Sequence, residues 1–340
     1  MSTASELPAV ATTTVGSFPR PGWLATRERS DIFFRLEGDL LREAQDDATV
    51  AVLHEQETLG LDLLTDGEQR RPSFINHILG GMDGFDLENR RTRTIRRKVD
   101  NDRLVPRVVG EVRRRGPTVV EDFRFARART RRPLKMAVPG PVTVVDTTYD
   151  ETYGDEAALA MDIAEALNEE LLELQAAGCG FIQIDEPAMT RYHEKTAAYG
   201  MQALDRCLQG ITVPTIVHLC YGYPGTGGLQ HEYEYPELLE MLMETSIGGF
   251  SLEFARSGYD PSILRACEDR LVVYGCVDPG DTPPESLDLV VSRIRGALRY
   301  VNPSRLIIAP DCGLMTISRE LAHQKGALLV RAATEVRRTL

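Results

Sequence analysis

No run of about 18 consecutive apolar residues occurs anywhere in the chain, which excludes a hydrophobic membrane-spanning helix. The first fourteen residues, MSTASELPAVATTT, lack a basic segment followed by an apolar core. They do not read as a secretory signal, so the expected compartment is the cytoplasm. The six cysteines (Cys179, Cys207, Cys220, Cys267, Cys276 and Cys312) are scattered rather than regularly spaced. A disulfide framework is therefore not expected, and in a reducing compartment these are free thiols or metal ligands. Internal repeats, heptad arrays and low-complexity tracts are absent. An overall excess of basic charge is missing too, since the net charge is −12. Between Asp86 and Leu134, however, 16 Lys+Arg stand against 7 Asp+Glu, which leaves the remainder near −21. With no continuing basic stripe and no aromatic interleaving, this stretch does not point to nucleic acid. It reads either as a solvated, salt-bridged excursion or as a docking surface for an anionic partner or substrate.

What is present is an α/β pattern. A chain of 340 residues suits two ordinary domains or one α/β barrel. Short apolar runs alternate with helical stretches, as parallel strands joined by crossover helices require. The runs are Thr12–Gly16, Leu61–Thr65, Leu134–Val138, Phe181–Ile184, Thr215–Leu219, Gly249–Leu252, Leu271–Tyr274 and Leu306–Ala309. Eight runs predict a (β/α)8 TIM barrel that occupies residues 1–340 as a single domain. Asp155–Ala177 carries Leu159, Ile163, Leu167, Leu171 and Leu174 at helical spacing, with Gly178 as its stop. Pro284–Tyr300 repeats the pattern. The Arg-rich stretch is too long for a simple crossover and is expected to be an insertion between strands 2 and 3, about 86–133, forming a hairpin over one barrel end.

Polar residues follow each run in turn: Gly16-Ser17, Asp66-Gly67-Glu68, Pro139-Gly140-Pro141, Asp185-Glu186-Pro187, His218 with Cys220, Glu253, Asp278, and Asp311-Cys312-Gly313. They fall at strand C-termini, the face where barrel active sites sit. His218 and Cys220 are two apart on one strand and so project to the same side. Glu253 and Cys312, at the ends of the next and the last strands, can complete a tetrahedron. Two thiolates, one imidazole and one carboxylate suit Zn²⁺ better than Mg²⁺ or Ca²⁺, because sulfur is a soft ligand. So many anionic donors make a poor generator of hydroxide but still lower the pKa of an incoming thiol, which favours S-alkylation over hydrolysis. Cys179, Cys207 and Cys267 lie in or beside helices and read as packing residues. Cys276 is the remaining thiol with access to the barrel mouth.

Across nearly its whole length the sequence resembles the cobalamin-independent methionine synthase family. The resemblance rests on TTTVGSFPRP (12–21), DLLTDGEQRR (62–71), PGPVT (139–143), IQIDEPA (182–188), VHLCY (217–221), SLE (251–253) and APDCG (309–313). It covers only the C-terminal catalytic barrel of the long members and is closest to the short, single-barrel type. The resemblance implies zinc on His218, Cys220, Glu253 and Cys312, homocysteine as the thiol, and Ser17, Glu68 and Asp185 around its amino-acid end. A zwitterion asks for carboxylates at its ammonium group and N–H donors at its own carboxylate, in agreement with those assignments.

Two positions depart from the family pattern. Where the long enzymes carry a Trp after GPVT, this chain has Thr147. Where they carry a His after strand seven, the stretch CVDPGDTPPES keeps Asp278 as the catalytic candidate but places Gly280 at the His position. The thiol half of the site matches and the folate half does not. A methylated corrinoid protein, or a folate held with help from a second protein docked on the Arg-rich stretch, is then the expected methyl donor. An epoxyalkane–coenzyme M transferase is the alternative, although its sulfonate-bearing thiol has no use for Glu68 and Asp185. A uroporphyrinogen-type decarboxylase leaves the cysteines unexplained, and a non-catalytic zinc protein is the reading from outside the enzymes.

Overall fold

The structure, a computed structural model, describes residues 7–28, 31–95, 102–221 and 235–340. Its strands are β1 Ala11–Thr12, β2 Ala25–Glu28, β3 Asp31–Phe34, β4 Met82–Thr94, β5 Asp102–Arg114, β6 Lys135–Pro139, β7 Tyr149–Asp150, β8 Phe181–Asp185, β9 Thr215–Leu219, β10 Gly249–Glu253, β11 Leu271–Val277 and β12 Leu306–Pro310. Seven of them form one parallel sheet in the order β1-β12-β11-β10-β9-β8-β6. The run expected at Leu61–Thr65 forms no regular strand. It makes single parallel bridges on either side instead, Thr13 with Leu63 and Leu64 with Leu134. Leu63 N donates to Thr12 O (3.0 Å) and Lys135 N donates to Leu64 O (2.8 Å), so this segment joins the two edges of the sheet.

Strand alternation sorts the side chains into two apolar layers. Ile182, Ile184, Val217, Leu219, Phe250 and Leu252 belong to the large cluster that includes the surrounding helices. Phe181, Ile216, Val273 and Ile307 belong to a separate small cluster with Leu63 and Ala11, which is the inside of the curled sheet. Residues two further along the same inward rows are polar: Gln183 and Asp185 after Phe181, His218 and Cys220 after Ile216. The interior is thus apolar at one end and polar at the strand C-termini.

The long helix expected at Asp155–Ala177 spans Glu156–Ala176, with Asp155 as N-cap accepting from Ala157 N at 2.9 Å. All five leucine and isoleucine positions of its stripe are buried. The helix expected at Pro284–Tyr300 is shorter, Leu287–Ala297, because Ser286 caps it from Leu289 N and the residues after Ala297 turn away. Helices Gly38–Leu59 and Arg319–Arg337 complete the outer layer near β1. No described helix is long and apolar enough to cross a membrane.

The Arg-rich stretch contains an antiparallel pair, β4 with β5, from Met82 opposite Arg114 to Thr94 opposite Asp102. Residues 96–101 lie outside the described residues. The tip of the hairpin expected over one barrel end falls in this stretch, so what is described is the body of the pair. It runs alongside the helix Glu156–Ala176, with Arg93 near Glu156 (3.3 Å) at one end and Arg114 near Glu170 (2.6 Å) and Glu173 (2.5 Å) at the other. The physical reason is that Val108 and Val112 on β5 need an apolar partner surface, and the helix flank supplies one. Arg107 pairs with Asp86 and Glu151, and Arg115 with Asp83. Much of the local positive charge is therefore neutralised within this subassembly.

Candidate metal centre and amino-acid pocket

His218, Cys220, Glu253 and Cys312 each place a ligand atom within 4.8 Å of the other three, and all four side chains are buried. The two sulfurs are 3.4 Å apart. His218 Nδ1 faces Ser251 Oγ at 3.0 Å, whereas its Nε2 is buried with no hydrogen-bond partner. Ser251 is the register partner of His218 on β10, so the contact follows directly from strand pairing. Burial, reinforced by the charge of Lys135, holds the His218 imidazole down at about 3, and the ring is neutral at physiological pH. Burial also pushes the Glu253 carboxyl well above its ordinary range, with Cys220 and Asp311 adding to the effect. A cation is the natural complement to such a set: an orphaned imidazole nitrogen, two adjacent thiols and a carboxyl crowded by negative neighbours.

Three contacts hold the donor set in place. The Tyr235 hydroxyl donates to Leu219 O (2.9 Å) and accepts from Glu253 N (3.0 Å), clamping the ends of β9 and β10. The Asp311 carboxylate accepts from the backbone N–H groups of Phe254 (3.1 Å), Ala255 (2.9 Å) and Arg256 (2.7 Å). That ties the residue before Cys312 to the turn after Glu253. Tyr221 N in turn donates to Glu253 Oε1 at 3.3 Å.

Asp185 is the register partner of His218 on β8, so its side chain lies on the same side of the sheet as the imidazole. Burial raises the Asp185 carboxyl to about 7, opposed by a hydrogen bond from Gln183 and reinforced by the charge of Glu68. Glu68 is buried, and desolvation raises its pKa against the pull of Arg71. Its backbone lies at φ 56°, a left-handed conformation uncommon for a residue with a Cβ and characteristic of functional turns. The carboxylate of Glu68 packs against Gly16: a Cβ there would sit 2.5 Å from Glu68 Oε1. Only glycine admits that approach, which brings the Gly16-Ser17 turn and Glu68 together. Ser17 itself is buried, and its carbonyl accepts from Leu314 N at 2.8 Å.

The remaining expectations divide. Asp278 stands after β11 but outside the metal cluster; its carboxylate accepts from Gly280 N (2.7 Å) and lies 3.5 Å from Arg256 Nε. Thr147 is buried and donates to Thr143 O at 2.6 Å. Cys179, Cys207 and Cys267 are packing residues of the outer core. Cys276 does not reach the mouth: it belongs to that same outer core, because one residue along a strand reverses the side. Sequence reasoning also passed over Lys135, Gln183 and Arg71. The first two were detectable as polar residues inside otherwise apolar runs. The buried Arg71 donates through Nη1 to Ala137 O (2.8 Å), and its Nη2 lies 3.6 Å from Asp66 Oδ2 in an ion pair; neither Nε nor Nη2 makes a hydrogen bond.

The family model described as the catalytic domain of the cobalamin-independent synthases matches residues 10–335. Among curated relatives, a methionine synthase of Sulfurisphaera tokodaii is 32% identical over 98% of this chain and 95% of its own length. One of Thermococcus kodakarensis is 32% identical over 98% and 96%. A solved B12-independent methionine synthase from a Shewanella species, in complex with selenomethionine, superposes with a TM-score of 0.93 at 34% identity, covering 98% of this chain and 99% of that one. The chain belongs to the cobalamin-independent synthase family, of which it contains the catalytic domain.

Proposed function

We propose that this protein is a zinc-dependent thiol methyltransferase that forms methionine from homocysteine in the cytoplasm. The observation that carries the proposal is the convergence of His218, Cys220, Glu253 and Cys312 within 4.8 Å, on strands whose neighbour presents Asp185 at the level of His218. The architecture is read as a (β/α)8 barrel closed by the Leu63 and Leu64 bridges, with the β4–β5 pair as an Arg-rich insertion between its second and third strands.

His218, Cys220, Glu253 and Cys312 would hold the zinc ion, with Ser251 orienting the imidazole so that Nε2 is the ligand atom. Bound there, zinc supplies acidification of a thiol, so that sulfur is nucleophilic at neutral pH. Asp185 and Glu68 take the ammonium group of homocysteine, and the Gly16-Ser17 turn takes its carboxylate. These contacts orient the sulfur toward the metal cluster and remove the rotational freedom that a bimolecular encounter leaves. Burial of the donor set keeps water from competing for the cation.

Asp278 is assigned to the donor side, at the strand end facing the approaching methyl group. Thr147 offers no flat ring for a pterin and Gly280 no proton donor. The methyl donor is therefore a corrinoid protein or a methylfolate held by a second protein. The Arg-rich pair, with Leu104 and Val109 exposed beside its ion pairs, is the face proposed for that partner.

The test is to purify the protein, measure zinc, and assay homocysteine methylation with methyltetrahydrofolate and methylcobalamin, beside coenzyme M with an epoxide. Methionine formation that disappears in Cys220→Ser together with the zinc is the expected result. Activity only with the epoxide, or a Cys220→Ser variant with full zinc and full activity, overturns the proposal.

A further inference from the structure

Inside the barrel lies a buried ammonium group for which the metal cluster has no use. Lys135, the first residue of β6, is 1% exposed. Its Nζ donates to the carbonyl oxygens of Thr14 (2.8 Å) and Val15 (3.1 Å) and to Gln183 Oε1. Three acceptors around one nitrogen match the three N–H bonds of an ammonium group, whereas a neutral amine has two. Gln183 is fully buried, and its Nε2 donates to Val15 O (2.9 Å) and to Asp185 Oδ1 (2.7 Å).

This chain of bonds has a fixed direction. An ammonium group accepts nothing. Burial pulls Lys135 down to about 7, but three acceptors around Nζ and the nearby Asp185 and Glu68 favour its charged form. The atom of Gln183 facing it must therefore be the oxygen. The amide nitrogen is thereby turned toward Asp185. Reversing the amide would set N–H groups against the ammonium and a carbonyl oxygen against the carboxylate, losing both contacts at once. Lys135 thus determines, through Gln183, that Asp185 always receives an N–H on Oδ1. A carboxylate has about four acceptor sites, and Asp185 is the one residue of β8 that keeps solvent access.

We propose that Lys135 and Gln183 are positioning residues that lock Asp185 into a single orientation, so that its remaining acceptor capacity selects ligands bearing an α-ammonium group. The proposal rests on the homocysteine reading above and deepens it, since it names what makes the pocket specific for an amino acid rather than for any thiol or thioether. A leucine or methionine at either position would fill the volume without setting any direction.

The experiment compares the binding of L-methionine and of 4-(methylthio)butanoic acid, which is methionine without its amino group, by calorimetry. Both probes carry the same thioether and no thiol, so any contact with a bound metal ion is common to them and cancels from the preference. Wild-type protein is expected to prefer L-methionine by about 100-fold, the effect of charge-assisted bonds made in a desolvated site. In Lys135→Met that preference is expected to fall by about tenfold or more through weaker L-methionine binding, with 4-(methylthio)butanoic acid unchanged. Loss of packing alone would weaken both probes equally. Should Lys135→Met not fold, Gln183→Leu, which leaves Lys135 its Thr14 and Val15 acceptors, is expected to show the same loss and carries the test. A wild-type protein without preference sinks the homocysteine reading itself. A wild-type preference retained in the folded variants sinks only the relay.

Discussion

Replacing Ser251 by alanine should weaken metal binding although Ser251 is not a ligand. His218 is 2% exposed, with Nδ1 3.0 Å from Ser251 Oγ and Nε2 without a partner. When Nε2 is a ligand atom, the proton resides on Nδ1 and is donated to Ser251. Removing the hydroxyl leaves that N–H buried and unsatisfied, at a cost of about 1–3 kcal/mol. It also releases the ring to the tautomer that carries its proton on the ligand nitrogen. Partners of this kind are worth roughly 10- to 100-fold in metal affinity, or about 1.4–2.8 kcal/mol. The burial of His218 argues for the upper part of that range, because no bulk water is present to replace the hydroxyl. The assay is competition for zinc against a chelating indicator at neutral pH, with Ser251→Thr as the control that keeps an oxygen. An affinity of Ser251→Ala within twofold of the parent would refute the reasoning and leave His218 oriented by packing alone.

Three further outcomes follow from other parts of the molecule. Asp185, raised to about 7, must be ionised to hold an ammonium group, so affinity for L-methionine should fall as pH drops below about 7, approaching tenfold per pH unit. Glu68, Lys135 and Arg71 face the same carboxyl, and affinity for 4-(methylthio)butanoic acid should not follow that dependence; a flat L-methionine profile between pH 8 and 5.5 contradicts the assignment. Arg114→Ala leaves the buried Glu170 without its cation and should destabilise the fold by about 3 kcal/mol, whereas Arg113→Ala, whose pair with Glu111 is exposed on both sides, should have a far smaller effect. Denaturant unfolding of both variants reads the contrast, and equal effects would defeat it. Cys276→Ala should retain full zinc stoichiometry by elemental analysis, since its side chain lies in the outer core, whereas Cys312→Ala should lose it.

Much of the candidate site was legible from the chain itself, because strand periodicity is a local property. His218 and Cys220 share a face through their spacing of two, and Glu253 and Cys312 end apolar runs; the eight runs were enough to point to a barrel. Local pattern could also show that the leucine stripe of residues 156–176 faces a core. Tertiary structure decided the rest. Which side Cys276 faces depends on where its strand begins, and a one-residue difference sends a thiol into the core rather than the mouth. The course of the β4–β5 pair along a helix was settled by the apolar surface left for Val108 and Val112 to cover, a long-range matter that no window of sequence contains. The same holds for Lys135: in the chain it is a lone charge in an apolar run, and only the curling of the sheet surrounds its nitrogen with Thr14, Val15 and Gln183.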